Sequence, residues 1–199
     1  DATELFQATS LGTIDLSAAG LAGNLADIER DFAVLDSSYL VTDYKEFYRI
    51  VEGDFFKKCQ QKIINKSNVR ILEAKLLGSV QLTCNKTVYR PDDRKGSKIR
   101  SIPFPIFLET TRGLGGNPTP VAFTELINAL QTGMVDGQTN DLPAIYEMKM
   151  HEVQKYLMLT NHQIMFTYLL INESSFKSLT SIQQNAIKKA AYEARLYEN

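Results

Sequence analysis

The spacing of apolar residues changes period several times along this chain, and each change predicts an element. ELFQATSLG (4–12) has helical spacing closed by Gly12, and TIDLSAA then alternates as a short strand. Residues 43–52 and 54–66 predict two helices joined at Gly53, the second rich in Lys and Gln on its outer face. VRILEAKLLG (69–78) is a strongly apolar strand and VQLTC (80–84) a second one. RPDDRKGSK (90–98) gathers Pro, Asp and Gly into a turn that leads into the short strand KIR, and PIFLETTRGLGG predicts a helix with a glycine-rich end. Pro118 and Pro120 fix an extended segment before Phe123, Leu126, Ile127 and Leu130 set helical spacing again.

The next stretch, QTGMVDGQTN (131–140), is the most informative. A helix reaches Gly133, Met134 and Val135 anchor a short strand, Gly137 turns the backbone tightly, and three polar residues follow, Gln138, Thr139 and Asn140. Beyond it come a helix over about 141–150, a strand near 154–159, a long apolar strand at 164–172 and the final helices. Thr180 with Gln183 three residues on is a capping-box start, after which Ile182, Ala186, Ala190 and Ala194 mark one apolar face. Strands alternating with helices predict an α/β fold with largely parallel sheets. GTID (12–15) and GMVD (133–136) repeat the pattern Gly-x-[Ile/Val]-Asp on the same helix-to-strand unit, which suggests two similar lobes. No strand precedes the first helix and the last one runs uncapped to Asn199, so both ends read as cut from a longer protein.

Composition narrows the function by exclusion. The 199 residues carry a net charge of −1, so no global field recruits nucleic acid or an anionic membrane. No apolar run approaches the roughly 18–20 residues needed to span a bilayer. His151 and His162 lie too far apart for a helical ligand pair, and Cys59 and Cys84 are too few for a metal cage without help. Their spacing leaves a disulfide open. GLGGNP (113–118) lacks the Lys-Ser/Thr of a phosphate loop and reads as a helix cap and turn, and no Gly-x-Ser-x-Gly elbow is present. Neither a cofactor nor a metal is expected, and no catalytic constellation stands out.

Two polar residues at strand ends do stand out. Arg100 closes KIR, and Asn140 follows the short strand after Gly133. In open α/β sheets, ligands bind at the carboxyl ends of strands. A guanidinium there offers a planar fork matched to a carboxylate, and an amide can both donate and accept. The plain alternatives are a surface ion pair for Arg100 and a helix N-cap before DLPAIYEM for Asn140.

GSKIR, followed by GNPTPVAFTELINALQTGMVDGQTN and HEVQKYLMLTNH, resembles the solute-binding proteins of TRAP transporters, the tripartite ATP-independent periplasmic family. ELFQATSLGTID, DYKEFYRIVEG and LTSIQQNAIKKAAYEA extend the likeness over nearly the whole chain. The resemblance implies a two-lobed periplasmic-binding-protein-like fold, with a mainly parallel sheet in each lobe and a ligand cleft between them. Lobe I would comprise residues 1–77 and 166–199, lacking a first strand and helix, and lobe II residues 78–165. It implies a periplasmic, monomeric receptor with no catalysis, which binds a small organic acid and delivers it to membrane permease subunits. Arg100 would hold the ligand carboxylate, Asn140 would support the site, Phe123 would pack on the ligand body, and Gly20 would line the cleft. A sensor of the same fold, feeding a signalling partner, would use the same pocket. Two departures bear on ligand choice. Val80 stands where many members carry a second Arg, which argues against sialic acid, and Thr139 stands where the family usually has Glu.

Overall fold

The computed structural model describes residues 2–198, with backbone alone at positions 19, 20, 22, 197 and 198. The elements run α1 (Ala2–Leu11), β1 (Leu16–Gly20), α2 (Ala22–Ile28), α3 (Tyr44–Glu52), α4 (Asp54–Ser67), β2 (Val69–Cys84), β3 (Lys98–Ser101) and α5 (Pro105–Gly113). They continue with β4 (Asn117–Pro120), α6 (Leu126–Gln131), β5 (Gly137–Asp141), α7 (Leu142–Glu147), β6 (Tyr156–Asn172), α8 (Glu173–Ser178) and α9 (Ser181–Glu198). The chain divides into two compact units. Asp1–Leu35, Asp43–Leu77 and Phe166–Asn199 form the first; Asp36–Thr42 and Gly78–Met165 form the second.

In the first unit, β1 pairs antiparallel with the end of β6, Leu16 opposite Ile171 and Ser17 opposite Leu170. The core is aromatic. Phe32 lies 5.3 Å from Phe56 and 5.5 Å from Tyr168, centroid to centroid, while Phe47 stacks on Phe166. Edge and offset ring pairs of this kind add about 0.5–1.5 kcal/mol each beyond the area they bury. Around them lie buried Leu25, Ile63, Val69 and Leu170. Asp43 caps α3 by accepting the Lys45 N–H, and α4 closes on Asn68 in the left-handed conformation.

In the second unit the strand order is β2-β5-β3-β4. β5 runs antiparallel to β2 and parallel to β3, and β3 runs parallel to β4 across the α5 crossover. Pro118 and Pro120 sit on β4, at the sheet's edge, where a missing N–H leaves no ladder bond unmade. Val121, Leu126, Ala129, Leu130, Val135, Ile145 and Met150 pack into one buried cluster beneath the helices.

Four sequence expectations are corrected here. First, the α/β class holds, but strand directions are mixed rather than largely parallel. Parallel pairing arises where helices supply the crossover, α5 between β3 and β4 and α6 between β4 and β5; β2 and β6 each continue from one unit into the other as a single strand, so no crossover helix sets their direction. Second, the two apolar runs at 69–84 are one strand, because Gly78 takes a φ of +144° that only glycine adopts readily, bending the strand without ending it. The runs at 154–172 likewise join through Asn161 (φ 42°), which Gln81 holds from both sides: Asn161 N–H donates to Gln81 Oε1 at 3.1 Å, and Gln81 Nε2 donates to Asn161 Oδ1 at 2.7 Å. Third, Met134 and Val135 precede β5 rather than forming it. Gly133 makes the turn at φ +71°, and Gly137 is needed for close approach, since a Cβ there would meet the Thr83 carbonyl oxygen at 2.4 Å. Fourth, α9 turns its Ile182–Ala194 stripe to solvent and buries Ala191 and Arg195. Small alanine side chains contribute little on burial, and the charge partners of Arg195 set the helix rotation instead.

Candidate functional site

β3, β5 and β2 lie side by side in the second unit, and their register aligns one row of polar residues. Arg100 sits opposite Gln138, Gln138 opposite Thr83, and Asn140 opposite Gln81. Directly opposed residues share a face of a sheet, and residues two apart on a strand share it too. All five are buried. The other face carries Leu82, Cys84 and Ile99, also buried, which make up the apolar side of the same strands.

The polar row is wired together. Gln138 Nε2 donates to Thr83 Oγ1 at 2.9 Å, and Asn140 Nδ2 donates to Gln138 Oε1 at 2.6 Å. Asn140 Oδ1 is left without a donor among the described residues. The N-cap alternative for Asn140 does not hold: Asp141 caps α7 by accepting the Ala144 N–H at 2.9 Å.

Arg100 is only 4% exposed. Its Nε donates to the Val121 carbonyl at 2.9 Å, and its guanidinium carbon lies 5.9 Å from the Phe123 ring centroid. No carboxylate among the described residues pairs with it, so the surface ion-pair alternative fails as well. Burial alone pulls its pKa down to about 10, which keeps it protonated at neutral pH. A cation held this way is costly to bury. The Val121 carbonyl fixes the plane of the guanidinium through Nε, and both terminal nitrogens remain for an acceptor. A carboxylate is the acceptor whose geometry fits that fork two-to-two.

Phe123 is 42% exposed, so its ring is available to cover an apolar surface beside the cation. Arg100 thus lies beside Phe123 and opposite Gln138, which takes a hydrogen bond from Asn140 and donates to Thr83, while Gln81 lies opposite Asn140 and bonds Asn161. Sequence reading missed Gln138, Thr83 and Gln81. The signal was there in QTN, where Gln138 and Asn140 share a face once the segment is a strand. Val80 is buried opposite Asp141 and, by strand alternation, faces away from Arg100, so that position contributes packing. Gly20 closes β1 in the first unit, and its surroundings lie outside the described residues. Both cysteines are free and buried, and among the described residues no cluster of His, Cys, Asp or Glu could hold a metal ion. Nor is any described helix long and apolar enough to cross a membrane.

Residues 1–199 match the family described as bacterial extracellular solute-binding protein, family 7, or DctP. A TRAP periplasmic solute-binding protein of Roseobacter denitrificans, solved with L-galactonate bound, is 33% identical with a TM-score of 0.89, over 98% of this chain and 64% of that one. The sialic acid-binding periplasmic protein of Vibrio cholerae is 33% identical over 96% of this chain and 59% of its own length. The C4-dicarboxylate-binding periplasmic protein of Rhodobacter capsulatus is 30% identical over 98% of this chain and 59% of its own. The chain therefore spans less than two thirds of the length of its relatives. With a family match over its full length, this chain belongs to the bacterial extracellular solute-binding proteins of family 7.

Proposed function

We propose that this chain carries the carboxylate-holding part of an extracytoplasmic receptor, which binds a small organic acid and delivers it to a TRAP-type permease. The single observation behind this reading is Arg100: a buried cation with its terminal nitrogens unshared, on a row of amides built to hold position. Arg100 takes the ligand carboxylate two-to-two, Asn140 Oδ1 accepts from a neighbouring hydroxyl, and Phe123 covers the ligand body. The named ligands of the three relatives, L-galactonate, sialic acid and a C4-dicarboxylate, share a carboxylate and differ elsewhere, which supports a fixed cation with a variable surround. In this reading the two units are the two lobes of a periplasmic, monomeric receptor. A carboxylate seated on the buried Arg100 displaces water there, which strengthens each polar contact. No catalytic step is involved, and the acid leaves unchanged.

A thermal-shift screen of the full-length protein against sugar acids, aldonates, C4-dicarboxylates and 2-oxo acids tests this. An acid at a hundredfold excess over its Kd stabilises the fold by about 2.7 kcal/mol. The expected result is a shift with one class of acid, lost in Arg100→Met and absent with the matching methyl ester or amide. An equal shift with acid and ester, or a shift retained by the variant, overturns the assignment.

A further inference from the structure

A second arginine of the second unit is buried without a counter-ion, and it lies away from the polar row. Arg94 ends the 3-10 turn Pro91–Arg94 and is 3% exposed. Its Nε and Nη1 are enclosed with no hydrogen-bond acceptor, which leaves Nη2 as the nitrogen open to its surroundings. Those surroundings are a cavity of about 440 Å³ formed by residues 84–86 and 94–97 with Ile99 and Asp136. Ile99 lines it while its neighbour Arg100 belongs to the polar row, and adjacent strand residues face opposite sides. The cavity and the Arg100 site therefore lie on opposite faces of β3.

The charges around this cavity are unbalanced. Arg94, Lys86 and Lys95 supply three cations. Asp136 is the lone carboxylate of the lining, and its Oδ2 is engaged by the Lys98 N–H at 2.7 Å. Lys95 pairs at 2.9 Å with Asp92, but both side chains are largely exposed, so that pair contributes little. The Ser97 hydroxyl, on a buried residue, has no hydrogen bond among the described residues. His162, also buried, supplies no compensating charge: burial first, and the Arg94 charge second, hold its pKa down at about 4, so it is neutral at neutral pH. Leaving a guanidinium enclosed without an anion is strongly unfavourable.

We propose that this cavity is a second anion site, in which Arg94, Lys86, Lys95 and the Ser97 hydroxyl hold a small oxyanion of the phosphate or sulfate class. It is independent of the organic-acid reading, because its residues and its sheet face are different. Such an anion would neutralise the Arg94 charge and fasten the 90–98 turn to the end of β2 through Cys84, Asn85 and Lys86.

The test uses inorganic phosphate with the full-length protein, titrated at constant ionic strength while the melting temperature is followed. Wild type is expected to show a saturable rise in the millimolar range. Arg94→Met is expected to lose that rise and, without phosphate, to melt at or above wild type, since a buried unpaired charge has been removed. Arg100→Met keeps the phosphate response. If Arg94→Met fails to fold, the double change Lys86→Ala and Lys95→Ala, both at exposed positions, should weaken phosphate binding several-fold with the fold intact. Selenate soaked into crystals should give an anomalous peak within hydrogen-bonding distance of Arg94. The proposal is overturned by equal phosphate responses in wild type and Arg94→Met, by a response the double variant leaves unchanged, by selenate only at Arg100, or by a carboxylate of the protein itself seated on Arg94.

Discussion

The two units treat buried charge in opposite ways. In the first, Arg70 grips Glu173 with a fork, Nε to Oε2 at 2.6 Å and Nη2 to Oε1 at 2.8 Å, and Lys177 joins at 3.3 Å. Burial alone would raise the Glu173 pKa, and these two cations outweigh it and lower it. Arg195 meets Glu52 at 3.1 Å and Glu73 at 3.2 Å and stacks on Tyr48 and Tyr192. Lys62, then Lys66, hold the Glu29 carboxyl down to about 2. In the second unit, Arg94 and Arg100 are at least as deeply buried, and neither meets a carboxylate among the described residues. The first pattern locks helices onto strands. The second leaves two buried cations without an anion among the described residues, the arrangement that an anion-binding site requires.

The largest expected effect comes from breaking the first pattern. Arg70→Met strands Glu173 in the core with Lys177 alone and should cost about 3–5 kcal/mol in urea unfolding. If the loss is under about 1 kcal/mol, the pairing is not what holds α8 to β2. Arg100→Met attacks the second pattern and should behave oppositely. Ligand-free stability stays level or rises, while affinity for the organic acid falls by about 2–5 kcal/mol, measured by calorimetric titration.

The third effect depends on pH. His162, next to Thr160 Oγ1 at 2.8 Å, is held at about 4 when folded against an ordinary 6.5. The unfolded chain takes up a proton near 6.5 and the folded one does not until about 4. Stability from this group is therefore complete above about 6.5 and is lost as pH falls toward 4, by roughly 3 kcal/mol in all. His162→Gln should flatten that part of the curve, and an unchanged slope assigns the loss to carboxylates instead.

Gln138→Leu comes next. It frees Asn140 and leaves Thr83 without its donor, and should cost about 1–3 kcal/mol. Urea midpoints measure the loss, and affinity should fall with it. Equal affinity would separate Asn140 from the site. The smallest is a control: Thr180→Ala removes a cap in which Gln183 N–H donates to Thr180 Oγ1 and Thr180 N–H to Gln183 Oε1, for about 1 kcal/mol of stability and no change in affinity.

Much of this was legible where one residue punctuates the chain. Gly12 and Gly53 mark helix ends, the 90–98 cluster marks its turn, and Thr180 with Gln183 marks the start of α9. Where a punctuating residue served another purpose, the reading failed. Gly78 reads as a strand end but bends a continuous strand, and Gly137 reads as a turn but admits a neighbouring strand. The inward face of α9 went astray because alanine periodicity says little when an arginine far along the helix finds two carboxylates. Arg100 was visible because KIR is short and follows a turn. The amides behind it were not, since hydrogen bonds across β2 and β5 depend on a register that no single segment carries.

The most direct test is a crystal structure of the full-length protein with its stabilising acid bound. The account predicts both carboxylate oxygens within hydrogen-bonding distance of the Arg100 terminal nitrogens, with Asn140 at the adjoining polar group. A ligand carboxylate held elsewhere, with Arg100 facing a carboxylate of the protein itself, would contradict it.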